Sequence, residues 1–432
     1  FVDCRQQNGY ILSGEGEETF ESHFSYKSFQ FVRVLADEGV SIVKIEAVPV
    51  HTALESVGSF ECSNEMVNAL QKASRLSLMS NCMSIPTDCP HREKGGWTCD
   101  AYLTDRAMMY NFDAAAFYTN WLHDLTDIQD EDGSLNNVAP SSDYDHGVST
   151  TWPAAVVYVP SDLYDFYGDR RVVEENLEPM KKFAHSSLKR QVEGKPGIIN
   201  DVLGDWVAPY MDLDADHTDR LKTYMAPPEG LVFYGTASHY NVVKNIGRLA
   251  GILSDDKTAG EYASWSEEIA ETLNAEFLDP GKEEYHGNIP TPDFREAPNA
   301  ISVEYGFAPD SLRSTIKEKV MGRLRDDDFR IGTGFLGTRS LMRIFPEEYP
   351  EEMFKVATQT QYPGWGYMIK HGATSIWEDW AGGASLNHMP FTLISEYFYR
   401  YLAGILVSRT EEGLPKVTVK PQVVGDLTWV KG

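Results

Sequence analysis

The chain has 432 residues, of which 42% are hydrophobic and 12% aromatic, and this composition excludes an intrinsically disordered protein. No stretch approaches the roughly 18 apolar residues that a bilayer-spanning helix needs, so a soluble globular protein is predicted. The formal net charge is −27, and there is no run of five Lys or Arg. Because nucleic acid binds to a basic face, we expect no nucleic acid partner and no membrane, but a neutral or small ligand.

The cysteines and the first residue bear on where the protein resides. Five cysteines occur without Cys-x-x-Cys spacing or a histidine pair at zinc-finger distance, so we expect free thiols, with neither a disulfide framework nor a structural zinc. Free thiols favour a reducing compartment, although a periplasmic protein can also carry them. The chain begins at Phe1 without an initiator Met or a signal-like apolar stretch, which indicates a processed or truncated piece.

The first 58 residues have a strand-like pattern. Apolar and polar residues alternate around 10–12, 29–35 and 40–50, with glycines between the first two stretches. This alternation predicts antiparallel strands. Because three or four strands bury little apolar surface by themselves, we interpret 1–58 as a segment of a larger sheet.

From Ser63 onward the hydrophobic period changes to 3.6, which is typical of helices. The first helix begins near Ser63, and eleven more are predicted near 101–110, 113–129, 153–167, 173–193, 236–253, 257–277, 300–307, 310–324, 335–344, 349–357 and 388–404. Twelve helices predict a mainly α fold, an (α/α)6 barrel of six hairpins over 59–404, whose loops form a pocket at one rim. Short strands return after Gly404, so 405–432 is predicted to begin a C-terminal β unit.

Trp and acidic residues cluster in loops rather than in the periodic helices. Residues 88–100 contain three carboxylates, one Arg and one Trp, and Pro90 together with a glycine pair prevents a continuous helix there. In a second loop, Glu378 stands between Trp377 and Trp380. Irregular backbone in both places leaves these side chains available for chemistry.

Hydrolysis of a glycosidic bond needs such residues. One carboxylic acid protonates the leaving oxygen, while a second carboxylate attacks the anomeric carbon or activates water. Flanking aromatic rings raise the pKa of the acid by desolvation and provide a flat surface for the apolar face of a sugar. A nearby arginine would keep Asp88 or Asp100 ionised, which divides the acids into proton donors and anions.

In these two loops the sequence resembles glycoside hydrolase family 78, the α-L-rhamnosidases. The resemblance depends mainly on 88–100, which reads Asp-Cys-Pro-x-Arg-Glu and then Gly-Trp-Thr-x-Asp, and on 365–380, which ends in Trp-Glu-x-Trp. Shorter matches occur at 151–153, 204–206, 334–338 and 385–388. In total the resemblance covers about residues 10–425, in preserved order and spacing.

The resemblance implies an (α/α)6 barrel flanked by β-sandwich domains. It implies a bacterial, inverting exo-glycosidase that removes terminal α-L-rhamnose from a glycoside or oligosaccharide without a metal or cofactor, with Glu93 as general acid and Glu378 as general base. A homodimer is a further option, and the cytoplasm and the periplasm both stay open as locations. The resemblance also assigns contacts with the sugar to Asp88, Arg92, Trp97, Asp100, Trp152, Trp206 and His388.

Two departures from the family pattern keep alternatives open. The loop is one residue shorter than a common family version, and Cys99 stands where Gly is usual, so Asp88 or Asp100 is the fallback for the general acid. The segment between Trp380 and Asn387 is also short for the family, which leaves open the role of His388 and any specificity beyond the first sugar. The alternative functions are another (α/α)6-barrel glycosidase with a different sugar specificity and a non-catalytic sugar-binding protein.

Other motifs are incomplete or absent. The acidic stretch 212–216 resembles the opening of a calcium loop, but His217 and Thr223 occupy positions that need Gly and Glu, so no metal is predicted there. The sequence contains neither Gly-x-Ser-x-Gly nor a Walker phosphate loop. A serine hydrolase and a nucleotide-binding protein are therefore not supported.

Overall fold

A computed structural model of the chain describes residues 6–141, 147–209, 223–410 and 412–432. The acidic stretch 212–216, which resembles part of a calcium loop, lies outside the described residues. In the described ranges, no helix is both long enough and apolar enough to cross a bilayer.

The twelve predicted helices are all present in the ranges just given, together with one short helix that the sequence pattern did not predict. The α-helices are α1 Glu65–Ser80, α2 Thr98–Asn111, α3 Ala115–Asp127, α4 Ala155–Tyr167, α5 Arg170–Ser187, α6 Val232–Ile252, α7 Asp256–Phe277, α8 Glu296–Tyr305, α9 Asp310–Asp326, α10 Phe335–Glu348, α11 Pro350–Thr358, the short unpredicted α12 Trp365–Lys370, and α13 Ile394–Tyr397. A 3₁₀ turn, Pro390–Leu393, precedes α13 and a π turn, Phe398–Leu402, follows it, so that 390–402 form one terminal helical run.

In the part of the chain that the structure describes, six helical segments form a closed inner ring. Helix α2 packs against α4, α4 against α6, α6 against α8, α8 against α10, and α10 against the terminal helical run, which returns to α2. Helices α1, α3, α5, α7, α9 and α11 lie outside this ring, each against an inner neighbour. The ring of six inner and six outer helices is the predicted (α/α)6 barrel.

The inner and outer helices differ in how many of their residues are buried, as their sequences require. The inner helix α2 buries twelve of its fourteen residues, whereas the outer helix α9 buries only Ile316, Val320, Met321 and Leu324 of its seventeen. A helix that is buried on all sides belongs inside, and a helix with one apolar stripe covers the outside. Three of these outer helices, α1, α5 and α7, also start with side-chain caps; in α1 Asn64 accepts a hydrogen bond from the backbone of Val67.

The strands are short and pair in twos. They are β1 Glu61–Cys62, β2 Cys82–Met83, β3 Ile85–Pro86, β4 Ala208–Pro209, β5 Thr223–Tyr224, β6 Leu278–Asp279, β7 Glu284–Tyr285, β8 Ile405–Arg409, β9 Pro415–Val419 and β10 Val430–Lys431. All pairs are antiparallel, and β8 with β9 forms the longest hairpin. Strand β10 pairs with β1, so the last residues of the chain lie beside the start of the barrel.

The segment before β1 differs from the antiparallel strands that its sequence pattern predicts. Among described residues 6–60, only Ser56 forms a β-bridge, with Phe112. Several large apolar side chains of this segment are exposed, including Ile11, Phe24 and Phe31. The physical reason is that strands of a sandwich are held by ladders and by a facing sheet, and this segment has neither within the described chain.

Candidate active site

The predicted site residues lie at one rim of the inner ring, where its helices begin. Trp97 is the N-cap of α2, and Asp100 lies in its first turn. Trp152 precedes α4, and His388 precedes the terminal helical run. Because every inner helix is entered from an outer helix, all six start at the same rim, and the loops there can bring distant parts of the sequence together.

The loop 87–97 is closed by bonds between its own two ends. The Asp88 N–H donates to the Gly95 carbonyl, and the Gly95 N–H donates to Asp88 Oδ1, each over 2.9 Å. Lys94 adopts a φ of 55°, a left-handed conformation that is uncommon outside glycine. The loop therefore presents Arg92 and Glu93 on a tightly bent backbone.

Glu93 is the more accessible of the two proposed catalytic acids. Its side chain is 42% exposed, and its Oε2 accepts a hydrogen bond of 2.7 Å from Trp97 Nε1. The guanidinium of Arg92 lies 3.5 Å from the other carboxylate oxygen. Glu93 thus has one oxygen fixed by the indole and one that faces an arginine at the mouth of the loop.

Glu378 is buried and ionised. Its Oε2 lies 3.0 Å from Arg92 Nη2, accepts the Ser385 N–H over 3.0 Å, and lies 3.9 Å from His388 Nδ1. Burial alone would raise the pKa of Glu378, but His388, the Ser385 N–H and Arg92 outweigh burial and hold this pKa below its usual value. A carboxylate kept charged in this way can accept a proton.

Arg92 connects the two carboxylates. The same nitrogen, Nη2, lies 3.0 Å from Glu378 Oε2 and 3.5 Å from Glu93 Oε1. These two oxygens are therefore at most about 6.5 Å apart, which is at or below the lower limit of the separation typical of inverting glycosidases. Both acids contact the same guanidinium nitrogen.

A second group of charged residues lies beneath them. His388 Nε2 is 3.0 Å from Asp100 Oδ1, and Asp88 is fully buried beside them. Burial lowers the pKa of His388, but Glu378 and Asp100 raise it more, and the net pKa lies well above its usual value. Burial raises the pKa of Asp88 and of Asp100. Among the described residues, Asp88 Oδ2 and His388 Nδ1 have no hydrogen-bond partner, so polar groups of a ligand can bind there.

The structure brings seven of the nine predicted residues into one connected cluster. They are Asp88, Arg92, Glu93, Trp97, Asp100, Glu378 and His388. Trp152 is buried in the core, and Trp206 is half-buried against it at the same rim. Trp377 and Trp380 are also core residues, so the tryptophans on either side of Glu378 stabilise its loop.

Cys89 belongs to the cluster, although sequence reasoning did not select it. Its thiol is fully buried. Burial raises the pKa of Cys89, but the neighbouring His388 and its charge outweigh burial and lower this pKa to about 6. The only sequence signal was its place inside the 88–100 motif, because His388 comes from the far end of the chain.

Tyr26 is a second residue that sequence reasoning missed. Lys94 Nζ donates to the Tyr26 carbonyl over 2.8 Å and lies 4.2 Å from the centre of its ring. Burial and the Asp88 carboxylate raise the pKa of Tyr26 to about 12. The N-terminal segment therefore contacts the loop that carries Glu93.

We expect the Lys94 contacts to position Glu93. Lys94→Ala removes both contacts with Tyr26 and leaves a non-glycine residue at φ 55°, so kcat/KM should fall by about tenfold. Lys94→Gly removes the same contacts, so it should lose as much activity, even though glycine adopts that φ without strain. Steady-state kinetics with Lys72→Ala, an exposed change on α1, as control would decide; equal activity of all variants would exclude the positioning role.

Asp205 holds the start of α10 at the same rim. Its two carboxylate oxygens accept the N–H groups of Gly334 and Gly337 over 2.7 and 2.8 Å. The Phe335 N–H donates to the Trp206 carbonyl over 3.0 Å in the same region. Burial raises the pKa of Asp205 to about 7, against the two backbone bonds, which favour the charged form.

Removal of the Asp205 carboxylate should destabilise the protein. Asp205→Ala leaves two buried N–H groups without acceptors, and we expect the free energy of unfolding to fall by about 3 kcal/mol. Denaturant titration followed by circular dichroism would measure the loss, with the exposed Asp326→Ala as control. An unchanged midpoint for Asp205→Ala would contradict the anchoring role.

Comparison with known proteins agrees with the fold. Residues 55–402 match the bacterial α-L-rhamnosidase six-hairpin glycosidase domain, and 1–51 match the bacterial α-L-rhamnosidase concanavalin-like domain. An α-L-rhamnosidase of Streptomyces avermitilis is 27% identical, covering 97% of this chain and 39% of its own length. One of Formosa agariphila is also 27% identical, covering 98% of this chain and 45% of its own length.

Two solved structures are similar as well. The α-L-rhamnosidase from Dictyoglumus thermophilum has a TM-score of 0.76 at 29% identity, covering 89% of this chain and 43% of its own. The Streptomyces avermitilis enzyme complexed with L-rhamnose has a TM-score of 0.75 at 26% identity, covering 88% and 35%. The chain thus spans less than half the length of these relatives. Because the first family match covers most of the chain, and its six hairpins are the twelve-helix ring, the chain belongs to the bacterial α-L-rhamnosidase six-hairpin glycosidase family.

Proposed function

We propose that the protein is an exo-acting α-L-rhamnosidase that hydrolyses terminal α-L-rhamnosides with inversion of the anomeric carbon. The observation that carries the proposal is the contact of one arginine nitrogen with both Glu93 and Glu378. It means that a solvent-accessible acid lies close to a buried, ionised carboxylate. Membership of the family indicates that the sugar is α-L-rhamnose.

Glu93 acts as the general acid, and Glu378 as the general base. The glycosidic oxygen reaches Glu93 from solvent, since this side chain is exposed enough to face an aglycone. Glu378 accepts a proton from a water molecule that attacks the anomeric carbon from the opposite side. Its lowered pKa keeps it ready for that step.

Arg92 must leave its bridging position when the substrate binds. With the guanidinium between them, the two acids are near the lower limit for an inverting pair, and the sugar with its water needs that space. The sugar hydroxyls form hydrogen bonds with Asp88, Asp100 and His388. Trp97, Trp152 and Trp206 form the wall of the pocket, and Arg92 contacts the bound sugar from its new position.

The anomer released first tests the stereochemistry. Hydrolysis of 4-nitrophenyl α-L-rhamnoside is followed by proton NMR before the product mutarotates. We expect β-L-rhamnose first, with the α anomer growing in later. If the α anomer appears first, the two-step retaining route applies and Glu378 is a nucleophile instead.

The domain organisation and assembly state belong to the same proposal. We place a β-sandwich segment at 1–58, the catalytic barrel at 59–404 and the start of a C-terminal β-sandwich at 405–432. The exposed apolar side chains of the first segment support the view that it packs against further sandwich strands. A homodimer is compatible with this arrangement, and light scattering of the purified chain would measure the assembly state.

A further inference from the structure

The base of the candidate site combines three side chains that commonly bind transition metals. A carboxylate oxygen of Asp88, the sulfur of Cys89 and a ring nitrogen of His388 all lie within 4.8 Å of one another. All three residues are buried. Their spacing in the sequence does not predict a metal site, because the histidine comes from a loop near the other end of the chain.

Two atoms in this group are buried without a hydrogen-bond partner in the described ranges. They are Asp88 Oδ2 and His388 Nδ1, in residues that are 1% and 5% exposed. Buried polar atoms are normally satisfied, so unpartnered ones in a shared cluster indicate that something polar or charged binds there. A sugar hydroxyl can satisfy them, and a cation can do so as well.

The surroundings of His388 are those of a metal ligand. Its Nε2 lies 3.0 Å from Asp100 Oδ1, while Nδ1 is the unpartnered nitrogen. Metal-bound histidines typically pair their other ring nitrogen with a carboxylate in this way, which fixes the ring. Glu378 Oε2, 3.9 Å from Nδ1, lies close enough to serve as a fourth group after a small shift.

The donor types select a class of ion. A thiolate, an imidazole and a carboxylate suit Zn²⁺ or Cd²⁺, whereas Mg²⁺ and Ca²⁺ prefer oxygen ligands alone. One thiolate and one carboxylate together balance the charge of a divalent ion. We propose that Asp88, Cys89 and His388 form a binding site for a soft divalent cation, and that occupation of this site inhibits the enzyme.

A bound ion should inhibit the enzyme because the ion and the sugar would use the same residues. On the proposed function, Asp88 and His388 contact the sugar, so an ion bound to them and the sugar exclude each other. Metal binding and sugar binding should therefore compete, and L-rhamnose should raise the apparent Kd of the ion. Binding of the ion itself does not depend on the catalytic assignment, so it can be tested separately.

The test titrates the whole chain with Cd²⁺ and follows the ultraviolet charge-transfer band of a cadmium–thiolate bond. We expect a saturable band that Cys89→Ser removes and that Cys62→Ser, a change in a thiol outside the site, retains. Asp100→Asn, which alters only the carboxylate behind His388, should weaken binding by about tenfold. Thermal melts of each variant show that it is folded.

Two results would overturn the site. One is a band that is equally strong and tight in Cys89→Ser, and the other is an unchanged Cd²⁺ affinity in His388→Gln. A different result separates this proposal from the catalytic one: a Cys89-dependent band that L-rhamnose does not displace would support the metal site while removing Asp88 and His388 from sugar binding. Inhibition of nitrophenol release by Cd²⁺, relieved by a chelator, completes the expected pattern.

Discussion

Glu93→Gln should lose activity to a degree that depends on the leaving group. Glutamine keeps the size of the side chain and an oxygen that can accept the bond from Trp97, but it cannot donate the catalytic proton. With an alkyl or sugar aglycone, turnover should fall by about a hundredfold to ten-thousandfold. With a 4-nitrophenyl aglycone the loss should be much smaller, because nitrophenolate departs without a proton.

A matched control separates the loss of the proton donor from a general effect of the substitution. Glu193→Gln makes the same chemical change at an exposed position and should leave both substrates unaffected. If Glu93→Gln reduces turnover equally for both aglycones, then Glu93 is not the proton donor. The fallback donors, Asp88 and Asp100, would then be tested by the same pair of substrates.

Glu378→Gln is expected to have an equally large effect with a different signature. Water must be activated whatever the leaving group is, so turnover should fall by about a hundredfold or more on both aglycones. The change also removes a negative charge beside Arg92 and His388, and the pKa of His388 should fall because Glu378 is the largest contribution that raises it.

Kinetics and NMR together measure these effects. Turnover is determined for both aglycones in parallel with Glu93→Gln, and the pKa of His388 is followed by the pH dependence of its ring proton resonances. Near-normal turnover of Glu378→Gln would exclude it as the base. A lost turnover with an unchanged His388 pKa would contradict the ion-pair geometry rather than the catalytic role.

The closed ring of helices brings the two proposed catalytic acids together. Glu93 and Glu378 lie on loops separated by most of the chain, yet Arg92 contacts both. The inner helices begin at one rim, and buried tryptophans such as Trp380, which donates to the Thr333 carbonyl over 2.9 Å, fix the loop behind Glu378. The packed ring therefore supports the two loops that carry the acids.

The sequence predicted the helices well, because their signal is local. Within the described ranges, the 3.6-residue period located twelve helices and missed the short helix Trp365–Lys370, since six residues carry too little periodicity. The strands predicted before Ser56 are not formed, because a strand requires a partner that local alternation cannot supply. The domain boundaries at 58 and 404 stay predictions.

The sequence alone determined the fold class, the family and the residues of the two acidic loops, since these follow from local periodicity and from motifs within short stretches. Only the tertiary structure decided which side chains meet: Arg92 between the two acids, Cys89 beside His388, and Tyr26 against Lys94. The physical reason is that contacts between distant segments depend on how the helices close into a ring. Burial then sets the charge state of each group, and burial is a property of the folded chain.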